Sequence, residues 1–95
     1  MTKGYWIALI DVTDPGAFAE YGALSTDIVN QYGGRFVVRG GKSQQFEGTG
    51  RARQAVVEFD SFDAAVACYQ SDAYQSAADI RHGGAIADVV IVEGA

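Results

Sequence analysis

The chain has 95 residues, enough for one domain with a single hydrophobic core. Its composition is 48% apolar and 20% charged, which excludes intrinsic disorder, because disorder needs low hydrophobicity and high net charge. The net charge of −5 argues against nucleic acid and acidic membrane surfaces as partners, since phosphate-rich partners need Lys and Arg to neutralise them.

Two further observations concern the compartment. The longest uncharged apolar run, residues 4–10, is too short to span a bilayer, and no secretory signal pattern opens the sequence. The single cysteine, Cys68, cannot form an internal disulfide. Together these observations predict a cytoplasmic protein.

The first predicted elements are a strand and a helix. A run of residues that is apolar on both faces of an extended chain predicts a strand from about Tyr5 to Val12. Asp14 is then a suitable N-cap, with Pro15 at the first helical position. Apolar residues three and four positions apart form one stripe along this helix: Phe18, Tyr21, Leu24, Ile28 and Val29. Gly33-Gly34 predicts the helix end, because glycine readily adopts the left-handed conformation.

Two strands follow in the middle of the chain. The second strand is predicted over Arg35 to Arg39 and the third over about Arg53 to Asp60. Between them, residues 44–47 are predicted to form a short strand extension and residues 48–50 a turn.

The last part of the chain is predicted to contain a split helix and a fourth strand. Ser61 is a suitable N-cap for the second helix, and Ser71 for a further helical piece. Gly83-Gly84 ends that piece, and the last strand is predicted from about Ile86 to Glu93.

This order, β-α-β-β-α-β, is that of the ferredoxin-like α+β fold with a four-stranded sheet of the antiparallel type. In this arrangement we expect the first and third strands to be central and parallel. Both strands are apolar on two faces, so both faces must be covered. The helices can cover one face only, which predicts a homodimer of the dimeric α+β barrel type. Exposing about 400 Å² of apolar surface would cost on the order of 10 kcal/mol, comparable to the whole stability of a small domain.

Ionisable residues lie near the ends of the predicted strands. If the first and third strands are parallel, Asp11 and Glu58 lie at the same end of the sheet. Arg35 starts the antiparallel second strand, and His82 and Asp88 lie near the start of the fourth. We therefore expect all five residues to gather around one mouth of the barrel.

Such a cluster has two interpretations. In the functional one, Glu58 and His82 are candidate catalytic residues that transfer a proton, and Arg35 and Asp11 contact a ligand, the arginine by holding an anionic group. In the structural one, the Glu–Arg pair is an ion pair across neighbouring strands, while strand-end acids and His82 simply face water.

Three more residues are candidates for ligand binding. Arg39 precedes Gly40-Gly41 and would present a guanidinium to an anion, although a turn explains the glycines equally well. Tyr69 and Tyr74 belong either to the core or to a cavity wall. The lone histidine and the absence of metal-binding or nucleotide-binding spacings predict no metal and no cofactor.

Several segments together resemble a known family. They are Lys3 to Ala8, Asp11 to Pro15, Tyr32 to Phe36, Val38 to Gly41, Val57 to Phe59, Cys68-Tyr69 with Ser71 and Tyr74, and Val90 to Gly94. The chain thereby resembles the family called domain of unknown function 1330. The resemblance implies a small bacterial protein with a ferredoxin-like, dimeric α+β barrel fold and no established reaction. Among the candidates, Arg39, Glu58, Tyr69 and Tyr74 match the family's pattern.

These considerations leave two functional hypotheses. The first is a protein that binds a small organic, anionic molecule between sheet and helices near the barrel mouth, with or without cofactor-free acid/base, oxygenase-like or isomerase-like chemistry. The second is a non-catalytic dimeric module for interaction or stress response, which would leave an apolar patch exposed after dimerisation.

Overall fold

The computed structural model describes residues 2–95 as one α+β domain with four strands and three helices. The elements are β1 (Gly4–Val12), α1 (Pro15–Gln31), β2 (Arg35–Arg39), β3 (Arg53–Phe59), α2 (Phe62–Gln70), α3 (Asp72–His82) and β4 (Ala85–Glu93). The predicted order is confirmed, including the split of the second helix. The predicted extension over residues 44–47 is wrong, because residues 40–52 form an exposed connection without a strand.

The sheet has the strand order β2-β3-β1-β4, and all neighbouring strands are antiparallel. The ferredoxin-like fold class is thus confirmed, and so are the central positions of β1 and β3. The predicted parallel orientation of β1 and β3 is wrong. The crossover through α1 returns the chain so that β2 runs in the same direction as β1, and the connection to β3 then reverses it.

The helix boundaries follow from side-chain caps. Asp14, Ser61 and Ser71 each accept hydrogen bonds from backbone N–H groups in the first turn of the helix that follows. The Ser71 hydroxyl also donates to the carbonyl of Cys68, so this residue both ends α2 and begins α3. Gly33, with φ of 76°, ends α1 in the predicted left-handed conformation.

The core lies between the sheet and the helices and is centred on Trp6. The indole N–H of Trp6 donates to the carbonyl of Ala65 at 2.9 Å, which satisfies its one polar atom. The Trp6 ring lies 5.2 Å from the ring of Phe59 and 4.8 Å from that of Tyr74, measured between centroids. Cys68 is fully buried beside them, and burial raises the pKa of its thiol to about 11. The thiol is therefore protonated at neutral pH and acts as a small core residue.

None of the helices in residues 2–95 is both long enough and apolar enough to cross a membrane.

The close approach of β1 to the start of α2 requires glycine at position 4. A Cβ atom there would lie 2.3 Å from the carbonyl oxygen of Ser61 and 2.6 Å from the Cα of Phe62, both backbone atoms. We expect Gly4→Ala to lower the free energy of unfolding by about 1–3 kcal/mol, because the helix must move to admit the methyl group. Urea denaturation measures this difference.

Gly41→Ala is the matched control, since a Cβ at position 41 would have no atom of the described residues within 4 Å. Equal free energies of unfolding for Gly4→Ala and Gly41→Ala would contradict the close approach of β1 to α2.

Candidate binding cavity

The side chains on the helix-facing side of the sheet form rows across the strands. One row is made of large apolar residues: Phe36, Val57, Trp6 and Ile91. This row meets the helices directly and belongs to the core.

The neighbouring row has two alanines at its centre, and a cavity lies above it. Ala55 pairs with Ala8 at the centre of the sheet, with Arg39 and Val89 on the two outer strands. Two alanines side by side leave space that α1 does not fill, because α1 packs along α3. The result is a cavity of about 560 Å³ between the sheet and residues 15–26 of α1.

Most of the cavity wall is apolar, and a pair of tyrosines interrupts it. The hydroxyls of Tyr21 in α1 and Tyr74 in α3 lie 2.6 Å apart and share a hydrogen bond. Tyr74 is 2% exposed, and burial, followed by the adjacent Tyr21, raises the pKa of its hydroxyl. Both hydroxyls cannot use their proton in the same bond, so one proton remains for a bound molecule.

Three arginines, Arg39, Arg53 and Arg81, line the same cavity, whereas no Asp or Glu of the described chain does. Arg39 donates to the carbonyl of Gly22 at 3.1 Å and to the hydroxyl of Thr26 at 2.7 Å, both neutral acceptors. The cavity wall is therefore positively charged.

Arg39 reaches this face because β2 contains a bulge. Phe36 pairs with Val57 and Val38 with Val56, so Val37 is an extra residue in β2. In a regular strand, Phe36 and Arg39 would point to opposite faces. The bulge restores both to the helix side, where the Arg39 guanidinium lies 4.1 Å from the centroid of the Phe36 ring.

The other face of the sheet has no helix over it and is apolar at its centre. Val38, Val56, Ile7 and Val90 form a continuous row across all four strands. Val90 is 56% exposed in the single chain. The pattern of strands that are apolar on both faces is thus present as predicted, and only one face is covered within the chain.

The predicted gathering of five ionisable residues at one mouth is wrong, because it assumed parallel β1 and β3. Glu58 and Arg35 pair across β3 and β2 at one end of the uncovered face, where the Tyr5 hydroxyl also donates to Glu58 at 2.9 Å. This hydrogen bond is the main cause of a raised pKa for Tyr5. Neither Glu58 nor Arg35 lines the cavity.

Asp11 and Asp88 lie at the opposite end of the same face. Arg51 bridges them, with its Nη1 2.9 Å from Asp11 and its Nε 3.0 Å from Asp88. The exposed His82 lies on the last turn of α3, with its Nδ1 3.9 Å from a carboxylate oxygen of Asp79. These three predicted residues are separated from the Glu58–Arg35 pair by the length of the sheet.

Two of the predicted ligand-binding residues, Arg39 and Tyr74, do line the cavity. Tyr69 lies behind the wall, with its ring 5.1 Å from that of Tyr74. Tyr21, Arg53 and Arg81 were not predicted as site residues. For Arg81 a signal existed, since it lies seven residues after Tyr74 on the apolar stripe of α3, where a charge needs an explanation.

No three side chains of His, Cys, Asp or Glu within residues 2–95 come together in an arrangement that could hold a metal ion.

Comparison with known sequences assigns the chain to a family. The model of the family described as Domain of unknown function (DUF1330) matches residues 3–95. The chain belongs to this family. No curated protein matches it in sequence.

Solved structures share the fold at low sequence identity. A protein of unknown function from Rhodopseudomonas palustris has a TM-score of 0.75 and 18% identity, over 96% of this chain and 81% of that one. SnoaB, a cofactor-independent oxygenase from Streptomyces nogalater, has a TM-score of 0.65 and 12% identity, over 97% and 92%. A hypothetical protein from Arabidopsis thaliana has a TM-score of 0.64 and 19% identity, over 97% and 84%. At these identities the likeness establishes the fold alone.

The contacts of the Asp11 carboxylate make the stability of the protein depend on pH. The backbone N–H of Ala52, and next the guanidinium of Arg51, lower the pKa of the Asp11 carboxyl. An aspartate with a lowered pKa stabilises the fold above its ordinary pKa of about 3.9, and this contribution disappears as the pH falls through the lower folded value. We expect Asp11→Asn to be less stable than the wild type at pH 7, with the difference closing below about pH 4.

Urea denaturation of both proteins between pH 7 and pH 2.5 measures this difference. Asp27→Asn, at an exposed position of α1, is the control. A difference between wild type and Asp11→Asn that stays constant with pH would contradict the role of the charge.

Proposed function

We propose that this protein binds a small organic molecule in the cavity between α1 and the sheet. The observation that carries the proposal is the cavity itself, whose volume of about 560 Å³ lies in the range of ligand sites. Its walls consist mostly of apolar side chains, and their polar groups include the tyrosine pair and the three arginines. Apolar walls supply affinity, and the polar groups orient the ligand.

In the enzymatic form of this proposal, the chemistry is cofactor-free and of an acid/base, oxygenase-like or isomerase-like kind. The likeness to SnoaB, a cofactor-independent oxygenase, supports it at the level of the fold only. Besides the arginines, the titratable groups that line the cavity are the Tyr21 and Tyr74 hydroxyls, which would donate a hydrogen bond to a ligand. The catalytic role predicted for Glu58 and His82 remains a prediction, and it requires a ligand that reaches beyond this cavity.

Filling the cavity tests the proposal. We expect Ala55→Phe to weaken the binding of the fluorescent apolar probe N-phenyl-1-naphthylamine at least tenfold, because the new ring occupies the space above the alanine row. Probe titration followed by fluorescence measures this, and circular dichroism checks the fold.

Ala67→Phe, on the exposed side of α2, is the matched control and should bind like the wild type. Unchanged affinity in Ala55→Phe, or no saturable binding to the wild type, would overturn the proposal.

We further propose that the protein is a homodimer in which two copies of the uncovered sheet face pack together. The apolar row of Val38, Val56, Ile7 and Val90 would form the centre of that interface. Ion pairs at both ends of the face, Arg35–Glu58 and Arg51 with its two aspartates, would form a polar rim. Two-fold packing of identical faces would bury both copies of the row at once.

A charge in the centre of the face tests the dimer. We expect Val90→Asp to shift the protein from dimer to monomer in sedimentation velocity at micromolar concentration, since burying two uncompensated carboxylates is costly. Ala67→Asp, on the exposed surface of α2, is the control and should remain dimeric. A stable wild-type monomer at this concentration would contradict the proposal.

The second candidate function is a non-catalytic dimeric module for interaction or stress response. One observation favours it: Phe46, in the connection between β2 and β3, is 84% exposed. In this candidate function, Phe46 would contact the partner protein. If Phe46→Ser no longer binds a partner protein but still binds the fluorescent probe, this result would favour the interaction module.

A further inference from the structure

Arg81 is a buried cation without a counter-ion. It is 4% exposed, lies on the inner side of α3 and lines the cavity. Its Nε atom is buried and has no hydrogen-bond partner within residues 2–95. None of the ion pairs among the described residues includes it.

The neighbours of Arg81 are aromatic rings and hydroxyls. Its guanidinium carbon lies 5.5 Å from the centroid of the Tyr21 ring, a cation–π contact that offsets part of the desolvation. Arginine cannot escape the cost by losing its proton, because its guanidinium stays protonated in proteins. Buried charges in proteins are normally paired, so this one calls for an anion that the chain does not supply.

The rest of the cavity agrees with this requirement. Arg39 and Arg53 add two more positive charges, and no carboxylate of the described chain lines the cavity. Arg53 lies over the Phe18 ring, at 5.3 Å from its centroid, and makes no ion pair among the described residues. The chain as a whole carries a net charge of −5, so this concentration of positive charge is local to the cavity.

We propose that the ligand of this cavity is an apolar organic acid whose carboxylate binds Arg81. The inference rests on the proposed function and specifies its ligand class. The Nη–H groups of the Arg81 guanidinium would donate to the two oxygens of the carboxylate, in the planar geometry that favours this pairing. The spare proton of the Tyr21–Tyr74 pair supplies a further donor beside it. The body of the acid lies against Ala8, Ala55 and Val89.

Naphthalene-2-carboxylate and its neutral amide, naphthalene-2-carboxamide, test the proposal because they share one apolar skeleton. We expect the carboxylate to bind wild-type protein at least tenfold more tightly than the amide, measured by isothermal titration calorimetry at pH 7. Equal affinity would overturn the carboxylate site and leave the proposed function intact. Binding of neither probe would overturn the proposed function itself, so the two failures are distinguishable.

Arg81→Met identifies the residue responsible. This substitution removes the charge and keeps a long apolar side chain. We therefore expect the variant to bind the carboxylate and the amide with about equal affinity. Lys42→Met, which removes a positive charge from the exposed connection outside the cavity, should leave the preference unchanged.

Stability without ligand gives a second readout. Removing an unpaired buried charge should leave Arg81→Met at least as stable as the wild type in urea denaturation. A variant that fails to fold, or that keeps the tenfold preference, would overturn the assignment of the anion to Arg81.

Discussion

The antiparallel pairing of β1 with β3 determines where the functional groups of this domain lie. It sets Ala8 opposite Ala55 on the helix side and Ile7 opposite Val56 on the other side. The alanine pair leaves a cavity under α1, and the valine–isoleucine row leaves an apolar surface that no helix of the chain covers. One register thus produces an internal site on one face and a candidate interface on the other.

Charge is separated between these two faces. On the uncovered face, Arg35 pairs with one carboxylate and Arg51 with two, so both cations there have counter-ions. On the cavity side, Arg39, Arg53 and Arg81 have aromatic or neutral neighbours instead. The buried Arg81 would interact strongly with an incoming anion, because little water screens its charge. The carboxylates and the cavity arginines therefore lie on opposite faces of the sheet.

Much of the architecture followed from local patterns in the sequence. Caps at Asp14, Ser61 and Ser71 predicted the helix starts, and the two-sided apolar strands predicted which strands are central. The strand directions follow from the connections, because the helical crossover leaves β2 parallel to β1 and the next connection reverses β3; the expectation of parallel β1 and β3 overlooked this. The error in the orientation of β3 placed Glu58 beside Asp11, although the structure puts them at opposite ends of the sheet.

The cavity was predictable only in part. Arg39 and Tyr74 were recognised as candidates from their residue types, whereas the bulge that turns Arg39 toward the cavity changes the register of β2 and has no signature in the residue types. The sequence by itself determined the order of elements, the helix boundaries and an apolar sheet face in need of a cover, because caps and periodicity act over a few neighbouring residues. Only the tertiary structure decided that three arginines from β2, β3 and α3 meet around one cavity, because they are distant in sequence and the packing of α1 and α3 over the sheet brings them together.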